Sequence, residues 1–223
     1  MRNRWGQPLR HRAYRALTEV FVTTKLWNTD QGYNSALKAA QKSLRNLGVE
    51  YLDLYLVHWP LPESRRDSWR ALEKLLADGK TRAIGVSNYM EHHLEELATY
   101  ANVPPAINQI ELSPYNYRSR QGVVNWCQRH QVVLEAYSPL TRGLKLDDPK
   151  LLEVAHKYGK SAAQVLIRWC LERGLVSLPK STAPARIRQN ADIFDFRLGP
   201  QDMADLEALD ENLATNWDPT NAP

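Results

Sequence analysis

Six short runs rich in β-branched and aromatic residues alternate with longer segments of helical period, and this alternation constrains the fold of the 223-residue chain more than any other feature. The runs are EVFVTT (19–24), DLYLVHW (53–59), AIGVSN (83–88), AINQIELS (106–113), VVLEAYS (132–138) and VSLPKS (176–181). Helices are predicted at 32–47, 66–78, 91–101, 119–130, 149–158, 161–173, 184–191 and 200–211. The first places Ala36, Ala39, Ala40, Ser43, Leu44 and Leu47 on one face, and the second does the same with Trp69, Leu72, Leu75 and Leu76. Asn88 and Ser161 precede two of the helices as competent caps. Strand, helix, strand in this repetition requires parallel strands joined by right-handed crossovers.

The residues able to do chemistry gather at the ends of these runs. Lys25 follows the first, His58 closes the second, Ser87 and Asn88 close the third, Tyr137 and Ser138 the fifth, and Lys180 and Ser181 the last. In a (β/α)8 barrel that end of the strands is the active-site face. A doubly wound open sheet favours a glycine-rich turn after its first strand, and the chain holds no G-x-G-x-x-G. The predicted fold is therefore α/β of the (β/α)8 barrel type, incomplete, with about six of eight strand and helix units.

Composition narrows the function classes. With 43% hydrophobic residues and no linker rich in Pro, Gly or Ser, one globular unit is expected. No window reaches roughly eighteen apolar residues, so neither a membrane span nor a membrane partner is expected, and the location is read as cytoplasmic. Cys127 and Cys170 sit in apolar helical stretches without metal-ligand spacing, which predicts buried free thiols and no metal. The net charge of +4 is uneven: Arg2, Arg4, Arg10, Arg12 and Arg15 stand without an acid in residues 1–18, and the remainder is close to neutral. A short Arg-rich end is read as a solvated terminus, so no nucleic-acid partner is expected.

The words VFVTTKLWN, DLYLVHWP, IGVSNY, NQIELSPY, AYSPL and PKSTAPARIRQN, followed by WDPTNAP, occur in an order and spacing that resembles the aldo-keto reductases over residues 19–223. That resemblance implies the (β/α)8 fold, NADP(H) as cofactor, and a small aldehyde or ketone as substrate. In the family a lysine lowers the pKa of a tyrosine hydroxyl and a histidine orients the carbonyl group; Lys25 and His58 match these two positions. Ser87, Asn88 and Gln109 match the contacts to the nicotinamide carboxamide, which needs both donors and acceptors. Tyr137 matches the aromatic platform under the nicotinamide ring, and Ser138 and Leu140 match the pyrophosphate contacts. Lys180, Ser181, Thr182 and Arg186 resemble the clamp on the 2′-phosphate, and Gln189 and Asn190 the adenine contacts. Trp27 and Trp59 match pocket walls, and Trp217 lies in a segment, 213–223, that resembles the substrate loop.

A full member of the family has two further strand and helix units ahead of VFVTTK, and they supply an aspartate and the proton-donor tyrosine. By unit length that tyrosine falls roughly 30 residues before Lys25, ahead of Met1, so the resemblance is to an N-terminally truncated member. Tyr14 stands in the helix-like stretch RAYRALTE and is read as a remnant of the preceding helix. The expected organisation is an atypical basic segment at 1–18 and a reductase barrel at 19–223 with a C-terminal substrate loop. Two functions follow: an NADPH-dependent carbonyl reductase impaired by the missing tyrosine, with His58 and water as proton source, or a catalytically silent NADP(H)-binding fragment or subunit. Unpaired edges at 19–24 and 176–181 would favour self-association.

Overall fold

The computed structural model describes residues 20–223, so Tyr14 and the basic segment 1–18 lie outside the described residues. Six strands alternate with eight helices: β1 (Thr23–Leu26), α1 (Tyr33–Leu47), β2 (Leu52–Val57), α2 (Arg65–Ala77), β3 (Thr81–Ser87), α3 (Glu91–Ala98), β4 (Ile107–Glu111), α4 (Gln121–Arg129), β5 (Val133–Tyr137), α5 (Pro149–Lys157), α6 (Ala162–Glu172), β6 (Val176–Leu178), α7 (Pro184–Ala191) and α8 (Pro200–Glu207). Single 3-10 turns follow β1 at Asn28–Asp30 and β5 at Thr141–Gly143. The backbone sorts into two compact units, one running to Ser87 with His93–Ala106 and Pro223, the other comprising Asn88–His92 and Ile107–Ala222. No linker composition marks this division; the chain crosses between the units after Ser87, His92, Ala106 and Ala222.

In the first unit β1, β2 and β3 pair in parallel, in chain order. Every residue of β2 is buried, as a parallel strand covered on both faces requires. Ala36, Ala40 and Leu44 form the buried stripe of α1, and Trp69, Leu72 and Leu75 that of α2. Gly48 ends α1 in the left-handed region at φ 71°, its N–H returning to the Leu44 carbonyl. The first strand begins later than its β-branched residues predict. Asp53 explains the shift: its carboxylate accepts from the Val22 N–H at 2.8 Å, taking the donor that a ladder would have used. Val20 and Phe21 stay exposed, and Lys25 becomes part of β1 instead of following it.

The second unit repeats the scheme with β4, β5 and β6, again parallel and in order. Asp148 caps α5, accepting from Lys150 N and Leu151 N, with Pro149 in the first turn. Ser161 caps α6 as predicted and forms a reciprocal capping box with Gln164. Asn88 stands three residues ahead of α3 at φ 64°, a left-handed position that Asn tolerates. Cys127 and Cys170 are buried free thiols, as expected, and burial pushes each up to about 12. No described helix is long and apolar enough to cross a membrane.

Candidate active site

The first unit brings Lys25, Trp27, His58 and Trp59 together at the ends of β1 and β2. Lys25 stands opposite Leu56 in the parallel register, one residue short of the end of β1. His58 leaves β2 directly, and its N–H donates to the Leu26 carbonyl at 3.2 Å, so the backbone carrying the imidazole is fastened to the end of β1. Trp27 meets the imidazole edge-on at 5.0 Å between ring centres, and Trp59 lies nearly parallel to it at 5.9 Å. Gln31 secures the loops around them: its Nε2 donates to the Trp59 carbonyl at 2.8 Å, and its Oε1 accepts from Ser64 Oγ at 3.1 Å.

Burial of His58, and secondarily the positive charge of Lys25, lowers the imidazole from its ordinary 6.5 to about 4. At neutral pH His58 is therefore an uncharged donor and acceptor. The sign for stability follows directly. Between about pH 6.5 and pH 4 the unfolded chain holds a proton at His58 that the folded chain does not, so stability falls as the pH falls through that window. Urea unfolding at pH 7.5 and 4.5 is expected to show His58→Asn losing about 2 kcal/mol less than the parent over this interval, after allowance for solvent screening. Equal losses in both proteins would contradict the assignment.

Ser87 ends β3 in the first unit and is buried. In the second unit Asn88, Gln109 and Tyr137 form a connected set. The Asn88 N–H donates to the Gln109 carbonyl at 3.0 Å, and the Tyr137 hydroxyl donates to Asn88 Oδ1 at 2.8 Å. Burial first, and the nearby Glu111 carboxylate second, push the Tyr137 phenol above its ordinary range, so it remains a neutral ring. Gln109 Nε2 donates to the buried Glu135 carboxylate at 2.6 Å. Trp217, half-exposed, lines a small depression with Asn88, Tyr137 and Glu111. Glu111 anchors this C-terminal segment by accepting from Thr215 N at 3.0 Å, and Arg120 does so through Asp218 at 2.7 Å.

Beyond Tyr137 the second unit opens into a groove of about 620 Å³. Ser138, Pro139 and Leu140 form one part of its lining, Lys180, Ser181, Thr182 and Arg186 another, and Gln189 and Asn190 lie along α7. Arg142 adds a third cation, and no carboxylate side chain among the described residues lines the groove. Ser138, Thr141 and Arg142 all adopt φ near +50° (49°, 49° and 53°), a region costly for a β-branched threonine. Strain concentrated in a loop that walls a groove is the usual mark of a ligand site. Arg186 falls in the first turn of α7, whose start has no side-chain cap, and its Nε reaches Ser181 Oγ at 3.4 Å. Three cations, the Ser181 and Thr182 hydroxyls and an uncapped helix start form a lining whose chemistry suits a phosphate-bearing anion.

Sequence reasoning passed over Arg142, Glu135 and Glu111. Glu135 and Glu111 carried a usable signal, because each shares a strand face with a residue already singled out: Glu135 with Tyr137, and Glu111 with Gln109. Arg142 lies in a loop with no period to place it.

Residues 6–211 match the model of the aldo/keto reductase family. The chain belongs to that family. The glyoxal reductase of Bacillus subtilis is 49% identical over 205 residues, which span 91% of this chain and 74% of that protein. Among solved structures, that of Gox0644 in its apo form superposes with a TM-score of 0.87 at 39% identity, covering 94% of this chain and 78% of that one. An aldo-keto reductase of Bombyx mori in complex with NADP superposes with a TM-score of 0.83 at 36% identity, covering 91% and 71%. The fold is the α/β barrel type of the family, with six parallel strands among the described residues, and family membership makes the chain an oxidoreductase.

Proposed function

We propose that the chain binds NADP(H) through the groove of its second unit and reduces an aldehyde or ketone to the alcohol. The single observation that carries this reading is the groove: every residue matched to the pyrophosphate, 2′-phosphate or adenine lines it, Arg142 brings its cations to three, and no acid among the described residues joins them. Two cations and two hydroxyls gathered at Lys180–Thr182 and Arg186 suit an additional phosphate monoester, which favours NADP(H) over NAD(H). The NADP-bound relative and the glyoxal reductase support the same reading.

When bound, the reduced nicotinamide supplies a hydride. The protein's part is orientation and polarisation. Tyr137, held as a neutral phenol by burial, offers an aromatic face, and its hydroxyl fixes the Asn88 amide beside it. His58, uncharged at neutral pH, donates a hydrogen bond to a carbonyl oxygen and stabilises the charge that develops there. With its imidazolium populated only near pH 4, His58 does not deliver a full proton at pH 7, and water completes the alcohol. Trp27 and Trp59 flank that imidazole and give the carbonyl compound an apolar, aromatic wall.

A silent NADP(H)-binding protein is the second reading, favoured by one observation: the raised Tyr137 phenol, engaged with Asn88, is no substitute proton donor. Loss of NADPH absorbance with a panel of aromatic and short-chain aldehydes separates the two. Aldehyde-dependent oxidation above the protein-free rate is expected, and should fall at least 10-fold in His58→Ala. A rate equal to the protein-free control in a folded sample that binds NADPH would select the silent reading.

A further inference from the structure

We infer that Asn216, in the C-terminal segment, is a positioning residue that aims the Arg142 guanidinium at the pyrophosphate, and so ties cofactor affinity to the segment matched to the substrate loop. The inference rests on the reading above, in which the groove holds NADP(H). Both residues belong to the second unit. Arg142 lies in the 3-10 turn Thr141–Gly143, whose backbone is already fixed. The Gly143 N–H donates to the Leu140 carbonyl at 2.7 Å, the Leu144 N–H to the Thr141 carbonyl at 3.0 Å, and the Lys145 N–H to Thr141 Oγ1 at 3.2 Å.

The freedom left in this turn is that of the long Arg142 side chain, which is exposed and lines the groove. An arginine loses much rotamer entropy when a ligand orders it, and a partner that holds it beforehand reduces that loss. Asn216 Oδ1 is such a partner, accepting from Arg142 Nη2. A carboxylate in its place would hold the side chain and cancel its charge. The neutral amide oxygen engages one of five guanidinium donors and leaves the charge to attract phosphate. Asn216 is itself held from both sides. Thr215 N donates to Glu111 Oε1 at 3.0 Å, and Asp218 Oδ1 accepts from the buried Arg120 at 2.7 Å. The sense of the amide is set as well. Burial and then Glu111 raise the Tyr137 phenol, and a hydrogen bond with the Asn216 side chain opposes them. A bond that favours the phenolate donates to it, so the NH2 end faces Tyr137 and the oxygen end is left for Arg142.

Calorimetric titrations of the full chain with NADPH and with adenosine 2′-monophosphate test this, because the second ligand carries the adenine and the 2′-phosphate but no pyrophosphate. Arg142→Met is expected to weaken NADPH binding about 10-fold, the loss of one charge-assisted contact at an open site, and to leave the monophosphate within about 2-fold. Asn216→Ala should weaken NADPH about 5-fold, again sparing the monophosphate. Adding it to Arg142→Met should cost nothing more, since the amide acts through the guanidinium. Asn216→Asp, which keeps the contact and cancels the charge, should lose at least as much as Asn216→Ala. Additive losses in the double variant, an equal loss of both ligands in Asn216→Ala, or parental NADPH affinity in Arg142→Met or Asn216→Asp would each overturn the role of Asn216. A parent chain that binds neither ligand would defeat the NADP(H) reading, and the inference with it.

Discussion

Replacing Lys180 and Arg186 together by alanine is expected to weaken NADPH binding by about 100-fold while changing NADH binding by no more than a few-fold. Each cation offers a charge-assisted hydrogen bond to a phosphate, worth about 1.5–3 kcal/mol where desolvated. The groove is open and both side chains are exposed, so the lower end applies, and two such contacts come to about 3 kcal/mol, or two orders of magnitude. Arg142 and the loop from Ser138 to Leu140 line another part of the groove, where they would meet the pyrophosphate common to both dinucleotides. Paired titrations of the parent and double variant with each nucleotide check this. An equal loss for NADPH and NADH would mean that Lys180 and Arg186 attract anions generally and read no 2′-phosphate.

The largest stability effect is expected at Trp169. It lies on α6 with no exposed surface, meets Tyr117 edge-on at 5.1 Å, and its indole N–H donates to Glu207 Oε1 at 3.3 Å. Glu207 ends α8 and also accepts from Arg173, so the indole ties α6 to a buried carboxylate as well as filling the core. Trp169→Ala removes all of that and leaves a cavity, at a cost of about 3–5 kcal/mol in urea unfolding. Because Ala163 of the same helix lines the groove, NADPH affinity should fall with the loss of α6 order. Trp169→Phe, which keeps most of the volume and the aromatic contact, should lose less than half as much. A loss below about 1 kcal/mol for the alanine variant would show that the second unit does not depend on this packing.

Particular residues show how far the sequence could be read. The groove around Lys180, Ser181, Thr182 and Arg186 was legible because these residues lie within seven positions at a strand-to-helix junction, where local geometry leaves little choice. His58 was legible for a similar reason, since it leaves a strand whose six residues are all apolar or buried. The start of β1 was not. It depends on a carboxylate 31 residues away taking the Val22 N–H, and no local propensity contains that contact. Asn88 satisfied the chemistry of a helix cap, yet the chain turns through a left-handed residue there and its Oδ1 accepts from Tyr137, 49 residues on. Glu135 has the composition of a solvent-facing strand residue, and only the register with β4 shows that its carboxylate is buried against an amide. The Ser161 cap, set by neighbours in sequence, formed as read, whereas placements that depend on a partner from another strand required the structure.

The measurement that bears most directly on the whole account is the fluorescence titration of the parent chain with NADPH and with NADH under identical salt. Saturable quenching by NADPH with at least 10-fold weaker binding of NADH is the expected result if the groove, lined among the described residues by three cations and no acid, reads the 2′-phosphate as proposed. A folded chain that shows no saturable response to NADPH, or binds both dinucleotides equally, would contradict it.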